Sequence, residues 1–233
     1  MLILITFRNS LMKKIFIATA VATVFVAPTA FGQANNFEGF NLQLSTGFQS
    51  NSPKISDQKL NNGTPDGTTT VSNVTGVPLY LGAGYTHAFT QSFTLGGLIE
   101  YNPLSSSKGT MTNTDPLGNV STATKGWVKN NTTLSILPGF VINADTQVYA
   151  KLGYTWVTSA CSNDNGSSCA DQTLSGYSLG LGAKKLIDKN IFVFGEGNYV
   201  TLNSKTLGYN DGSGSYKSGG NGYNFLVGAG YKF

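Results

Sequence analysis

The chain has 233 residues, of which 40% are hydrophobic and only 11% charged, with 29 glycines, 11 tyrosines and 14 phenylalanines. A soluble globular domain carries about 25% charged residues, so part of this surface is expected to face something other than water. The formal charge of +4 is modest and unevenly placed, which gives no electrostatic argument for nucleic acid as a partner.

The first element reads as a secretory signal. Lys13 and Lys14 precede an apolar run from Ile15 to Val26, and Pro28 leads to a small-residue exit at Gly32-Gln33-Ala34 or, alternatively, Ala30-Phe31-Gly32. A dozen apolar residues are too few for a permanent membrane helix, which needs about 20. Met12 is a candidate true start, because Met-Lys-Lys is the usual opening of such a signal. Residues 1–34 are expected to be removed, leaving residues 35–233 as one domain. Arg8, Lys13 and Lys14 leave with the leader and no acid does, so 15 basic residues fall to 12 against 11 acidic.

No long apolar stretch follows. A backbone in lipid has two solutions, the helix and the closed barrel; hydropathy removes the first. What remains is a barrel or, as the rival, a soluble secreted β-protein.

Period-2 alternation then recurs along the chain. The first segment, about 37–48, sets Phe40, Leu42, Leu44 and Phe48 against Asn41, Gln43, Ser45 and Gly47. The second, about 75–86, sets Leu79, Leu81, Ala83 and Tyr85 against Tyr80, Gly82, Gly84 and Thr86, and the third, about 92–102, sets Phe93, Leu95, Ile99 and Tyr101 against Thr94, Gly96 and Glu100. The fourth, about 128–141, places Leu134, Ile136, Pro138 and Phe140 outward; the fifth, about 148–157, does so with Val148, Leu152, Tyr154 and Trp156. The sixth, about 174–185, opposes Tyr177, Leu179 and Leu181 to Ser178, Gly180 and Gly182. The seventh, about 190–200, is less regular, with Phe192, Phe194 and Glu196 inward. The last ends at Phe233 and has Tyr223, Phe225, Val227, Ala229, Tyr231 and Phe233 on one face.

These segments have the length that crosses a bilayer at a tilt of about 45°. Their connections alternate strictly: short at 86–92, 142–147 and 186–189, long and polar at 49–74, 102–126, 157–173 and 201–222. That sorting is expected when one end faces the periplasm and the other the exterior. The fold class expected is all-β, an eight-stranded antiparallel up-and-down transmembrane barrel with short periplasmic turns and long, mobile extracellular loops.

With the signal segment, the Leu-Gly-Ala-Gly-Tyr and Gly-Leu-Gly-Ala strand ends and the terminal Phe225-Leu-Val-Gly-Ala-Gly-Tyr-Lys-Phe233, the chain resembles the small outer-membrane barrels: OmpA-like transmembrane domains, OmpX-like proteins and opacity-type porin-family proteins. The resemblance implies residence in a Gram-negative outer membrane among lipid and lipopolysaccharide. It also implies that Phe225, Val227, Ala229, Tyr231 and Phe233 form a sorting signal for the barrel-assembly machinery, reached with the help of periplasmic chaperones. It specifies architecture well and activity poorly.

The chemistry-bearing residues are few. His87 is the single histidine and falls in the first short turn, with no cysteine or carboxylate cluster accompanying it and no Ser–His arrangement in view; a solvated turn residue is the plainer reading. The pairs Gly82/Gly84, Gly180/Gly182 and Gly228/Gly230 sit late in strands with no helix following, so they let a narrow barrel close rather than bind a nucleotide. Glu100, Lys151, Lys184 and Glu196 share the lumen parity, and Lys129 does so near a rim. Charges in an interior just wide enough for side chains are expected to pair as a plug; the sharper alternative is a gated conduction path. Cys161 and Cys169 flank a loop tip on an oxidising export route, which favours a disulfide over free thiols. No cofactor or metal is called for. The function expected is non-enzymatic, structural or loop-mediated binding of a host or cell-surface ligand. The alternatives are a narrow porin-like channel and, behind it, a lipid A-modifying enzyme.

Overall fold

The computed structural model describes residues 33–163, 170–209 and 212–233. A single turn of 3-10 helix, Ala34–Phe37, precedes the strands. In chain order these are β1 (Gly39–Leu60), β2 (Thr68–Val71), β3 (Val74–Gly76), β4 (Leu79–Ala88), β5 (Phe93–Asn102) and β6 (Gly109–Thr114). They continue with β7 (Val120–Asn143), β8 (Thr146–Asn163), β9 (Gln172–Leu186), β10 (Ile191–Gly208) and β11 (Gly214–Lys232).

Hydrogen bonding runs β7-β5-β4-β1-β11-β10-β9-β8 and returns from β8 to β7, so among the described residues eight strands close on themselves, every pairing antiparallel. The closing seam joins first strand to last, with Leu44 opposite Ala229 and Phe48 opposite Phe225. The three short strands lie outside this ring: β3 extends the line of β4 along β1, and β2 and β6 form a flap on β7.

Side-chain alternation has become a two-solvent surface. Along β5, Phe93, Leu95, Ile99 and Tyr101 are exposed, whereas Thr94, Leu98, Glu100 and Asn102 are buried. The outward side chains are large and apolar, Leu181 being 72% exposed and Phe225 62%. A water-soluble fold does not leave so continuous a belt of aliphatic and aromatic groups uncovered; acyl chains are the solvent that suits it. Rings cap the belt at both ends. Phe40 packs on Tyr85 at 4.8 Å near the turn end, and Tyr154 on Tyr177 at 5.3 Å near the other. From Phe40 to Phe48 on β1 is about nine residues, the number that crosses a bilayer at a tilt of about 45°.

Glycine and aromatic residues are matched across the lumen wall. Gly182 is the direct partner of Tyr149, Gly228 of Phe194 and Gly230 of Phe192. A β-carbon at any of these glycines would collide with the opposing ring. The less regular seventh segment is therefore regular in space: its inward phenylalanines lie over glycines of the neighbouring strand.

The turns at 89–92, 144–145 and 187–190 are as short as expected. The long connections differ from expectation. Much of 49–74, 102–126, 157–173 and 201–222 is paired strand: β1 continues to Leu60 beside β11, and β7 begins at Val120 beside β8. Past the bilayer both faces of a strand meet water, so the apolar alternation that marks a strand disappears while backbone pairing continues. A bulge at Asn130, φ 52, shifts the β7 register between Lys129 and Thr132 at that level.

At the turn end the 3-10 segment folds under the barrel. Ala34 and Phe37 pack on Val141 with Ala88 and Leu186 around them. The Ala34 N–H donates to the Gln91 carbonyl at 3.0 Å and the Asn36 amide to the Ala144 carbonyl at 2.9 Å.

The ring–glycine matching predicts that Gly182→Val, which must displace Tyr149, destabilises the barrel by about 1–3 kcal/mol. Gly97→Ala, with nothing within 4 Å of the new methyl, should stay within about 0.5 kcal/mol. Urea titration of protein folded into lipid vesicles measures both.

Candidate functional site

Midway down the lumen, three strands that are not neighbours contribute one ion cluster. Lys151 on β8 places Nζ 2.5 Å from Glu100 Oε2 on β5 and 2.6 Å from Glu196 Oε1 on β10. Glu100 and Lys151 are each only 2% exposed. Each carboxylate takes further donors: the Tyr149 hydroxyl donates to Glu196 Oε2 at 2.9 Å, the Asn198 amide to Glu196 Oε1 at 2.9 Å, and the Gln43 amide to Glu100 Oε1 at 3.3 Å. Asn198 also donates to Asn224 Oδ1 at 2.8 Å, which ties the cluster to β11. Removing charges from water is costly, and only a cluster with nearly all its donors and acceptors used offsets that.

Of the four charges expected in the lumen, Glu100, Lys151 and Glu196 are therefore brought together. Lys184 stands apart, with Nζ 4.2 Å over the Phe192 ring nearer the turn end. Lys129 pairs with Asp171 at 2.8 Å on the outer side. Periodicity could not rank these residues, because parity names the face while the register between strands sets the height. The same holds for Tyr149, Gln43 and Asn198. Their inward parity was legible, but not that their heights coincide with the carboxylates.

His87 lies at the end of β4, its Nδ1 2.9 Å from Glu38 Oε1, beside the folded-under N-terminal segment. Cys161 lies near the end of β8's outer extension, which runs to Asn163, and Cys169 lies outside the described residues. Phe225, Val227, Tyr231 and Phe233 are exposed on the apolar face of β11 and the residue that follows it, with Ala229 between them.

On the outer side, hairpins interlock instead of standing apart. β2 pairs with β6, which pairs with β7, joining the first and second extensions. Thr69 Oγ1 donates to Asn113 Oδ1 at 2.6 Å across that seam. The fourth extension is tied to the first: the Asn61 N–H donates to the Ser213 carbonyl at 2.9 Å, and the Asn61 amide to the Gly212 carbonyl at 2.6 Å. Tyr209 stacks on Tyr216 at 5.5 Å. Lys217 Nζ meets Asp57 Oδ2 at 2.6 Å, and the hydrogen bond and charge of Lys217 hold the Asp57 carboxyl below its ordinary value of 3.8. A depressed carboxyl favours the folded hairpin above its ordinary value and loses that contribution as pH falls through the lower one. The tie is therefore intact at neutral pH.

Neither the family models nor the curated proteins give a match to this sequence. Solved structures do. The chain is similar to the outer membrane protein OprG from Pseudomonas aeruginosa, at 14% identity over 84% of this chain and 97% of that one, TM-score 0.51. It is similar to Neisserial surface protein A at 13% identity, with coverage of 84% and 97% and a TM-score of 0.50. Ail of Yersinia pestis matches at 16% identity over 84% and 99%, TM-score 0.44. The fold is that of the small outer-membrane β-barrels, and the apolar belt is the surface that membrane requires.

The cluster geometry predicts that Lys151→Met, which leaves two buried carboxylates without their ammonium, destabilises the barrel by about 3–5 kcal/mol. Adding Glu100→Gln and Glu196→Gln should recover most of that loss. A single variant as stable as the parent in vesicle unfolding would mean that the charges are hydrated rather than paired.

Proposed function

We propose that this outer-membrane barrel is a non-enzymatic surface-interaction protein that holds an ordered platform of hairpins outside the cell for a host or cell-surface ligand. The observation that carries this reading is the cross-bracing of the first, second and fourth extensions through β2–β6 pairing and the Asn61 bonds. Ordering polar chain away from the lipid is unfavourable in conformational entropy, and a barrel that needed only to exist in the membrane has no use for it. The buried Glu100–Lys151–Glu196 cluster favours a closed lumen over the narrow-channel alternative. His87, held against Glu38 at the turn end, is remote from the outer leaflet where lipid A chemistry would occur. Lipid and lipopolysaccharide are the expected surroundings, and the Phe225–Phe233 pattern is proposed as the assembly signal.

The test uses bacteria displaying the protein, assayed for attachment to cultured host cells. Asn61→Ala combined with Tyr209→Ala should reduce attachment several-fold while leaving heat-modifiable gel mobility unchanged. Attachment indifferent to both the variant and deletion of the protein, together with single-channel conductance in planar bilayers, would transfer the role to the channel.

Maturation is part of the same proposal. Of the two cleavage sites the sequence allows, scission after Gly32 keeps Ala34 and Phe37 in the stopper beneath the barrel. A bridge between Cys161 and Cys169 would pin the third extension. Intact mass of protein extracted from outer membranes should then match a chain beginning at Gln33, with or without loss of ammonia from that residue, and two hydrogens lighter than the dithiol. A mass beginning at Asn35 rejects the stopper, and the dithiol mass rejects the bridge.

A further inference from the structure

Above the ion cluster the lumen opens into a vestibule with two unlike walls. One is aliphatic, made by Val128, Val157, Leu174, Val200 and Leu202 from four successive strands. The facing wall has the backbone of Gly220 and Gly222 and the amides of Gln49 and Asn102. The cavity between them is narrow, about 50 Å³, and continuous with solvent above, enough for a slender chain or a few waters. Tyr80 lines it on the side of the ion cluster.

Two buried groups at this level have hydrogen-bonding capacity that the protein does not use. Tyr80 is 4% exposed; its oxygen accepts from the Asn131 amide at 3.0 Å, and among the described residues no acceptor meets the phenol proton. Gln49 is 6% exposed, and its side-chain amide makes no hydrogen bond to a described residue. The Gln49 amide borders the open space and the Tyr80 phenol proton is unused, so both are available to an acceptor from outside the protein. An aliphatic wall beside them disfavours filling the whole space with water.

Charge narrows the choice. The aliphatic wall has no ionised group, the Lys129 ammonium at the rim is paired with Asp171, and the cluster below holds two carboxylates to one ammonium. An anionic head near Tyr80 would lie next to two carboxylates and one ammonium, and among the described residues that line the vestibule the one lysine, Lys129, is already paired.

We propose that the vestibule is a binding site for a slender neutral amphiphile, whose hydrogen-bond-accepting head group reaches Tyr80 and Gln49 and whose unbranched chain lies along Val157, Leu174 and Val200. The site is internal and stands whether or not the outer platform has a ligand.

Octanamide, with octanoate as its charged counterpart, tests this on the full mature chain in lipid nanodiscs carrying labelled Leu and Val methyl groups. Octanamide should shift the Val157, Leu174 and Val200 methyls saturably, and octanoate, recorded at a pH where it is ionised, should bind more weakly. Tyr80→Phe should weaken octanamide roughly five- to tenfold, the size of one neutral hydrogen bond. Leu174→Gln should abolish the saturable shifts, whereas Leu179→Gln on the lipid face should preserve them. Folding of each variant is read from the unperturbed methyls of the lower barrel. Shifts that rise linearly with added octanamide, or that persist equally in Leu174→Gln, would mean partition into the bilayer and overturn the site. Tighter binding of octanoate would overturn the neutral head group.

Discussion

In hydrocarbon no water is available to an unpaired N–H or C=O, so every peptide group between the two aromatic girdles must find a partner within the protein. The return from β8 to β7 meets that demand by leaving the ring without an edge. Much else follows from closing so small a ring. The strands can present only one side to lipid, which becomes apolar. The other side faces a space so narrow that its side chains must interdigitate. Glycine opposite Tyr149, Phe192 and Phe194 is one result: where a ring crosses the lumen wall, its partner has no side chain.

The ion cluster is a second result. A wide pore could hydrate Glu100, Lys151 and Glu196 separately. A lumen packed with side chains cannot, so the three are drawn into contact and surrounded with donors from Tyr149, Asn198 and Gln43. Their convergence from β5, β8 and β10 links walls that no backbone hydrogen bond joins directly. The same cluster divides the interior: filled below by the Phe192 and Phe194 rings among polar side chains, with a mixed aliphatic and amide-lined chamber above. The two ends also differ, since Ala34 and Phe37 fill the turn end while the opposite end opens among the hairpins.

Outside the membrane the constraint relaxes, and the chain uses the barrel as a template. Strands already aligned by the bilayer continue their pairing into water. β1 and β11 stay in register from the membrane to Ser56 and Lys217, and resume pairing at Lys59 and Ser215 after the irregularity near Asp57. The tips then join through side chains and short strands, so polar sequence with no core of its own becomes ordered by attachment to one that has it. This is why composition was a poor guide there. Runs of Asn, Ser, Thr and Gly resemble mobile loop when considered alone, and only their paired neighbours make them strand.

Local sequence was sufficient for whatever depends on one strand at a time. Which residues face lipid, which face the lumen, how far a crossing extends and which connections are short all follow from alternation and spacing. In each crossing the faces expected for residues such as Leu42, Ile99, Leu181 and Tyr231 are the ones observed. Tertiary structure alone decided what depends on the relative height of strands distant in the chain. Register selected Glu100, Lys151 and Glu196 as partners and separated Lys184 from them, and it brought Tyr80 and Gln49 to the same chamber as the aliphatic wall. It also turned the polar connections into braced hairpins. A side chain's face has a period of two residues and is written in its neighbours; its height against a strand across the lumen depends on the closure of the whole ring, and no local pattern encodes that.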